Sequence, residues 1–312
     1  MLPPHERPAD TPVLDLKSRG TKTLQDMNYE APTSVEAAVA ALAAADDEAH
    51  IFAGGTDLLV QLREEMIRPS LFVDIKRITE TRTITVDDTR VRIGAAVTGA
   101  ELSEHDAAKK LLPGVVEAVE LIGSTQVQGR ATVGGNLCNA SPAADSVPAL
   151  IAAGAVAQVA GPDGLRAIAV EDFHAGPSRT NLSGNEFVVC LDMPKPTTRS
   201  ADAYLRFIPR TEMDIAVVGA GAAVTLDADG TCTAARLALG AVAPTARLVP
   251  AVATAMIGKK IDDTVLASVA AAARDACNPI DDKRGTVAFR IHVAGVLAIR
   301  AVKIAIERAE AE

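Results

Sequence analysis

With 312 residues, 48% of them hydrophobic and 23% charged, the chain has the make-up of a packed globule and not of a disordered polymer, long enough for two domains or for one with a smaller one appended. A net charge of -9, an aromatic share of 3% and no tryptophan argue against a nucleic-acid reader, which needs basic surface and stacked rings. No apolar run reaches the ~20 residues of a membrane span, the N-terminal stretch lacks the apolar core of a secretion signal, and the four cysteines form no C-x-x-C pair, so a soluble, cytoplasmic protein with reduced thiols is expected.

Residues 1–27 are polar, proline-containing and aperiodic, and read as a flexible arm. Thr33-Ser34-Val35-Glu36 has the form of a capping box and predicts an Ala-rich helix to about Ala45. Ile51–Ala53 reads as a short strand running into Gly54-Gly55, Leu58–Met66 as helix or turn, and Leu71–Ile75 as a buried strand. Thr83–Val86 and Arg90–Gly94 flank Asp87-Asp88-Thr89 as a hairpin. Helices follow over Glu101–Lys110 and Leu111–Ile122, with Pro113 opening the second. Gly123–Asn139 is too rich in Gly, Gln, Thr and Asn for a plain core element. A second hairpin, Ala155–Ala160 with Leu165–Val170, precedes a strand over Phe187–Met193. Lys195–Ala201 marks a boundary. Strands near Ala203–Ile208, Ile215–Leu226 and Thr233–Leu239 come next, then helices near Asp263–Ala276 and Gly285–Glu310. Hairpin-joined strands with helices grouped apart indicate an α+β fold.

The chemistry is concentrated in two glycine motifs. Ala53-Gly54-Gly55-Thr56-Asp57-Leu58 joins a strand to a helical segment. Paired glycines permit positive φ and close approach of backbone to a ligand, and the free N–H groups of a helix start attract anions. The lysine of a P-loop is missing. Two readings stand: a plain strand-to-helix turn, or a phosphate cradle. The second motif, Thr132-Val133-Gly134-Gly135-Asn136, leads through Asn139 to Ser141-Pro142-Ala143-Ala144-Asp145. Two such loops can clamp a pyrophosphate from both sides, each charge-assisted backbone bond contributing roughly 1.5–3 kcal/mol. Asp145 either accepts from ribose hydroxyls or caps a helix starting at Ser146. Gly219-Ala220-Gly221-Ala222-Ala223-Val224 imitates a Rossmann start, but Val224 stands at the third glycine and the run continues as a strand, so it reads as packing. The five histidines are scattered and none is assigned a catalytic role.

At these motifs the sequence resembles the FAD-binding medium subunits of the xanthine dehydrogenase and carbon monoxide dehydrogenase family of molybdenum hydroxylases. The likeness runs from about Tyr29 to the C-terminal helix. It rests on ordered signatures: Tyr29-Glu30-Ala31-Pro32, the two glycine motifs, Ser141–Asp145, Glu186 to Pro194, and Arg210 with Asp214-Ile215-Ala216. The resemblance implies a two-subdomain FAD-binding fold of the vanillyl-alcohol oxidase (PCMH) type over residues 28–198, divided at 80/81. A C-terminal flavoprotein domain of three antiparallel strands and a helical bundle would fill 199–312. It implies non-covalent FAD with its pyrophosphate at Ala53, Gly54, Gly55, Thr56, Asp57 and Leu58 on one side and Thr132, Val133, Gly134, Gly135 and Asn136 on the other. Asp145 would lie on the adenosine side, Ile122 and Val188 would supply apolar or backbone contacts, and Arg206 would stand near the isoalloxazine.

The partners so implied are a large subunit with the molybdenum cofactor and a small subunit with 2Fe-2S clusters, in a dimer of heterotrimers. This chain would relay electrons through FAD to NAD, oxygen or a quinone; the alternative is a stand-alone FAD-dependent oxidoreductase. Three departures narrow the branch. Carbon monoxide dehydrogenase subunits typically carry His-Ser where this chain has Thr56-Asp57. The Cys-rich insert of 4-hydroxybenzoyl-CoA reductases is absent between Asn139 and Ser141. No histidine in either motif offers a covalent flavin link.

Overall fold

The computed structural model describes residues 27–45, 48–211 and 213–311. Apart from Met27, the arm expected over 1–27 lies outside them. The α+β class is as expected, built on three main sheets. In the first, Leu71–Asp74 lies between parallel strands Asn28–Glu30 and Ala49–Phe52, and its four residues are all buried. The helix Val35–Ala44 covers it with Ala38 and Leu42. Its cap is Ser34, whose hydroxyl accepts the Ala37 N–H at 3.2 Å, so the helix starts one residue later than a box on Thr33 requires.

The second sheet is antiparallel, in the order Ile84–Val86, Arg90–Gly94, Phe187–Pro194, Val156–Gly161, Gly164–Ala169. The two helices expected over 101–122 are three: Gly99–Ser103, Asp106–Leu111 and Pro113–Glu120. Each break has a local cause. Thr98 and Glu101 form a complete capping box on the first helix. His105 restarts the chain by accepting the Ala108 N–H at 3.2 Å, and Pro113 opens the third.

The third sheet holds Ser200–Phe207, Val218–Leu226, Cys232–Gly240 and Arg247–Leu248, all antiparallel. The three expected strands thus gain a two-residue fourth at the edge, and the strand placed from Ile215 begins at Val218. A helix at Pro250–Met256, for which the sequence carries no clear signal, joins Asp263–Asp275 and Val287–Ala311. The Rossmann-like glycines belong to this sheet: a Cβ on Gly221 would stand 2.6 Å from the Pro148 carbonyl oxygen, so glycine lets the helix Ser146–Ala152 lie directly on the strand. Among the described residues no helix is long and apolar enough to cross a membrane.

The third sheet is bolted to the helix Pro113–Glu120 by polar groups. The buried Asp202 carboxylate accepts the N–H groups of Gly114 (2.8 Å) and Val115 (3.1 Å) at the start of the helix Pro113–Glu120. Burial pushes the Asp202 pKa up to about 7 despite those donors and the nearby Arg308. Arg308, on the last helix, donates to the Asp202 carbonyl at 2.8 Å and pairs with Glu117. Asp202→Ala leaves two buried N–H groups without an acceptor. It is expected to cost about 1–3 kcal/mol, read as a lower urea midpoint at unchanged m; a midpoint equal to wild type would show that the cap contributes nothing.

Candidate functional site

The first glycine motif begins where Ala49–Phe52 leaves its sheet. Gly55 adopts φ +76°, which turns the chain into the helix Leu58–Arg63. Lys76 holds the approach: it donates to the Ala53 carbonyl at 2.9 Å, pairs with Asp74 at 2.8 Å and sits 4.2 Å from the centre of the Phe52 ring. Gly54 lies against the backbone of Arg130 and Ala131, just ahead of the second motif, and a Cβ there would overlap the Arg130 carbonyl. Close apposition of the two motifs therefore requires glycine at 54. Among the described residues no protein acceptor takes the N–H groups of Gly54, Gly55, Thr56 and Asp57.

The second motif is differently built. Expected as a loop, it is the first turn of a helix, Val133–Cys138, capped by the Thr132 hydroxyl accepting from Gly135 N–H at 3.0 Å. Val133 N–H donates to the Val97 carbonyl (3.3 Å) and Gly134 N–H to that of Ala95 (3.2 Å). The two motifs are therefore not a symmetric backbone clamp. Free amides come from the first motif alone, and the second offers side chains: the Thr132 hydroxyl proton, and Asn136, whose Oδ1 accepts from Ser146 N–H (3.3 Å) and Oγ (2.6 Å), leaving its Nδ2 as a donor.

Between the motifs lies a cavity of ≈ 520 Å³, within the range of small-molecule and cofactor sites. Ala53, Gly54, Gly55, Thr56, Asp57 and Leu58 line one wall, Thr132, Gly134, Gly135 and Asn136 another, and Ile122 and Val188 add apolar surface. Burial raises the Asp57 pKa. Three expected site residues stand outside the lining. Val133 is fully buried. Asp145 and Arg206 face each other at 2.7 Å, and Tyr204 donates its hydroxyl to the other Asp145 oxygen at 3.0 Å. Both Asp145 oxygens are therefore engaged by protein donors. Its cap role is not seen either, since Asn136 takes the Ser146 N–H and Asp145 makes no capping bond. Burial lifts the Asp145 pKa to about 6 against the pull of Arg206 and Tyr204.

Several lining residues carried no sequence signal of their own, His50 and Gln61 among them. Glu186 also lines the cavity and forms a bidentate pair with Arg166 (2.6 and 2.7 Å), which holds its pKa below the ordinary value.

A glycine turn whose four amides have no acceptor among the described residues, closed against a second glycine motif over a partly apolar cavity, suits a nucleotide-like cofactor in an α+β protein. Comparison with known proteins makes that specific. Residues 25–196 match the model of the FAD binding domain in molybdopterin dehydrogenase, and residues 203–305 that of the CO dehydrogenase flavoprotein C-terminal domain. The chain is 33% identical over 278 residues to the carbon monoxide dehydrogenase medium chain of Hydrogenophaga pseudoflava, covering 89% of this chain and 96% of that one. It is 35% identical over 206 residues to the xanthine dehydrogenase FAD-binding subunit of Escherichia coli O157:H7, covering 65% and 70%. Among solved structures, carbon monoxide dehydrogenase from Hydrogenophaga pseudoflava superimposes with a TM-score of 0.86 at 32% identity, over 90% of this chain and 98% of that one. Quinoline 2-oxidoreductase from Pseudomonas putida 86 superimposes with a TM-score of 0.82 at 29% identity, over 91% and 98%. The chain belongs to the family of FAD-binding subunits of xanthine and carbon monoxide dehydrogenase-type molybdenum hydroxylases.

Proposed function

We infer that this chain is the flavin relay of a multi-subunit molybdenum hydroxylase, taking electrons from iron–sulfur clusters of a small partner subunit and delivering them to an external acceptor such as NAD, oxygen or a quinone. A large partner subunit carries the molybdenum cofactor and the substrate chemistry, and the assembly is a dimer of heterotrimers. The observation that carries this reading is the row of unclaimed amides at Gly54, Gly55, Thr56 and Asp57 on the wall of the cavity. They suit the FAD pyrophosphate, with the Thr132 hydroxyl and the Asn136 amide donating from the opposite wall. Ile122 and Val188 offer a surface for the flat apolar ring. When bound, FAD supplies the electron transfer; the protein binds and orients it and excludes water around it. Asp145 and Arg206 act on the site through the packing of the third sheet against the helix Ser146–Ala152.

The direct test is to purify the chain, denature it and identify the released chromophore. FAD in a ratio near one per chain is expected, and no released flavin would overturn the reading. Reduction of the flavin by the partner subunits and their substrate, with no turnover of an organic substrate by this chain alone, separates the relay from a stand-alone oxidoreductase.

A further inference from the structure

Beyond the two motifs, the cavity walls are joined once more. Gln61 donates from Nε2 to Asn139 Oδ1 at 3.2 Å, across 78 positions of sequence. Each partner sits one helical turn past a glycine motif. The Gln61 N–H donates to the Asp57 carbonyl at 2.9 Å, and the Asn139 N–H to that of Gly135 at 2.9 Å. Both residues line the cavity. Their supports differ sharply. Asn139 is fixed: Ala140 follows it with φ 50°, the Ala140 carbonyl accepts from Ser178 N–H at 2.9 Å, and the Leu137 carbonyl contacts His174 Nε2 at 2.7 Å. Gln61 belongs to the helix Leu58–Arg63, none of whose residues is buried; Leu59 and Val60 are 48% and 56% exposed. That wall, which carries the free amides, is held at one end by the Gly54–Arg130 contact and at the other by the Gln61 side chain.

We propose that Gln61 and Asn139 are positioning residues that form a clasp across the cofactor cavity, so that release of FAD requires their hydrogen bond to open. The proposal rests on the reading that this cavity holds FAD. A dinucleotide lying between the motifs leaves by parting the walls, and the helix Leu58–Arg63, with little of its own surface buried, is the wall that moves. A bond of this type changes rates by about three- to tenfold.

The test strips flavin from the full chain and follows FAD association and dissociation by the change in flavin fluorescence. Gln61→Ala and Asn139→Ala are each expected to speed dissociation about three- to tenfold, with association changed less and the melting temperature of the flavin-free chain unchanged. The double variant should dissociate no faster than either single one, because both remove the same bond. Additive effects would mean that each side chain contacts FAD separately, and would overturn the clasp, as would unchanged dissociation. A wild-type chain that fails to rebind FAD overturns the cofactor reading itself, a result recognisable before any variant is made.

Discussion

Valine in place of Gly54 or Gly135 is expected to empty the protein of FAD, by two different routes. At Gly135 the one atom closer than ordinary contact to an added Cβ is the Thr132 hydroxyl, at 2.8 Å, and the residue is exposed on the cavity side. A valine there occupies space between the motifs and disturbs the cap, while the surrounding core has no need to move. At Gly54 the added Cβ overlaps the Arg130 carbonyl, a backbone atom with no rotamer to relieve it. The first motif is then forced off the second, and the unclaimed amides go with it. Loss of more than ~100-fold in FAD affinity, about 2.7 kcal/mol, is expected for both. Gly54→Val should lower the melting temperature of the flavin-free chain well beyond the small loss that a disturbed cap causes in Gly135→Val. Flavin content and thermal denaturation of the purified variants decide the matter; full FAD occupancy in both would show that these glycines are ordinary turn residues.

Removing the Asp145 carboxylate has a comparable effect on the fold. Its partner Arg206 has a side chain only 6% exposed, with an Nε that has no hydrogen-bond acceptor among the described residues. In Asp145→Ala the guanidinium remains buried without its counter-charge, and losing one member of such a pair costs on the order of 3–5 kcal/mol. The double variant Asp145→Ala/Arg206→Met takes away the stranded charge and is expected to recover most of that loss. Urea denaturation followed through the C-terminal sheet measures both. A single variant within about 1 kcal/mol of wild type would show that water reaches Arg206 and that the pair is not a buried one.

What the sequence revealed depended on the range of the interaction. Elements governed by local chemistry came out close to their observed bounds. The hairpin at Asp87 is one, where the carboxylate accepts from the N–H groups of Thr89 and Arg90. The helix Asp263–Asp275, started by the Asp262 side chain, is another. The short fourth strand of the third sheet escaped because two residues make no pattern. The helix Pro250–Met256 escaped because it is brief and carries no side-chain cap. At the site, the two glycine motifs look equivalent as text. They differ because Ala95, Val97 and the Thr132 hydroxyl consume the amides of the second, and no spacing rule foretells that. Asp145 was visible as a carboxylate beside the motif. Its engagement by Tyr204 and Arg206, about sixty residues downstream, follows from the docking of the third sheet and was not.

The contact between Gly54 and Arg130 couples cofactor capture to the apposition of the two motifs. Whatever holds the two motifs together favours FAD, and FAD holds the two motifs together. By mass action, each tenfold rise in free flavin above its dissociation constant adds about 1.4 kcal/mol to the folded state. The heat resistance of the chain is therefore set partly by its surroundings: a cell short of flavin holds a softer subunit, one more open to proteolysis before it meets its partners.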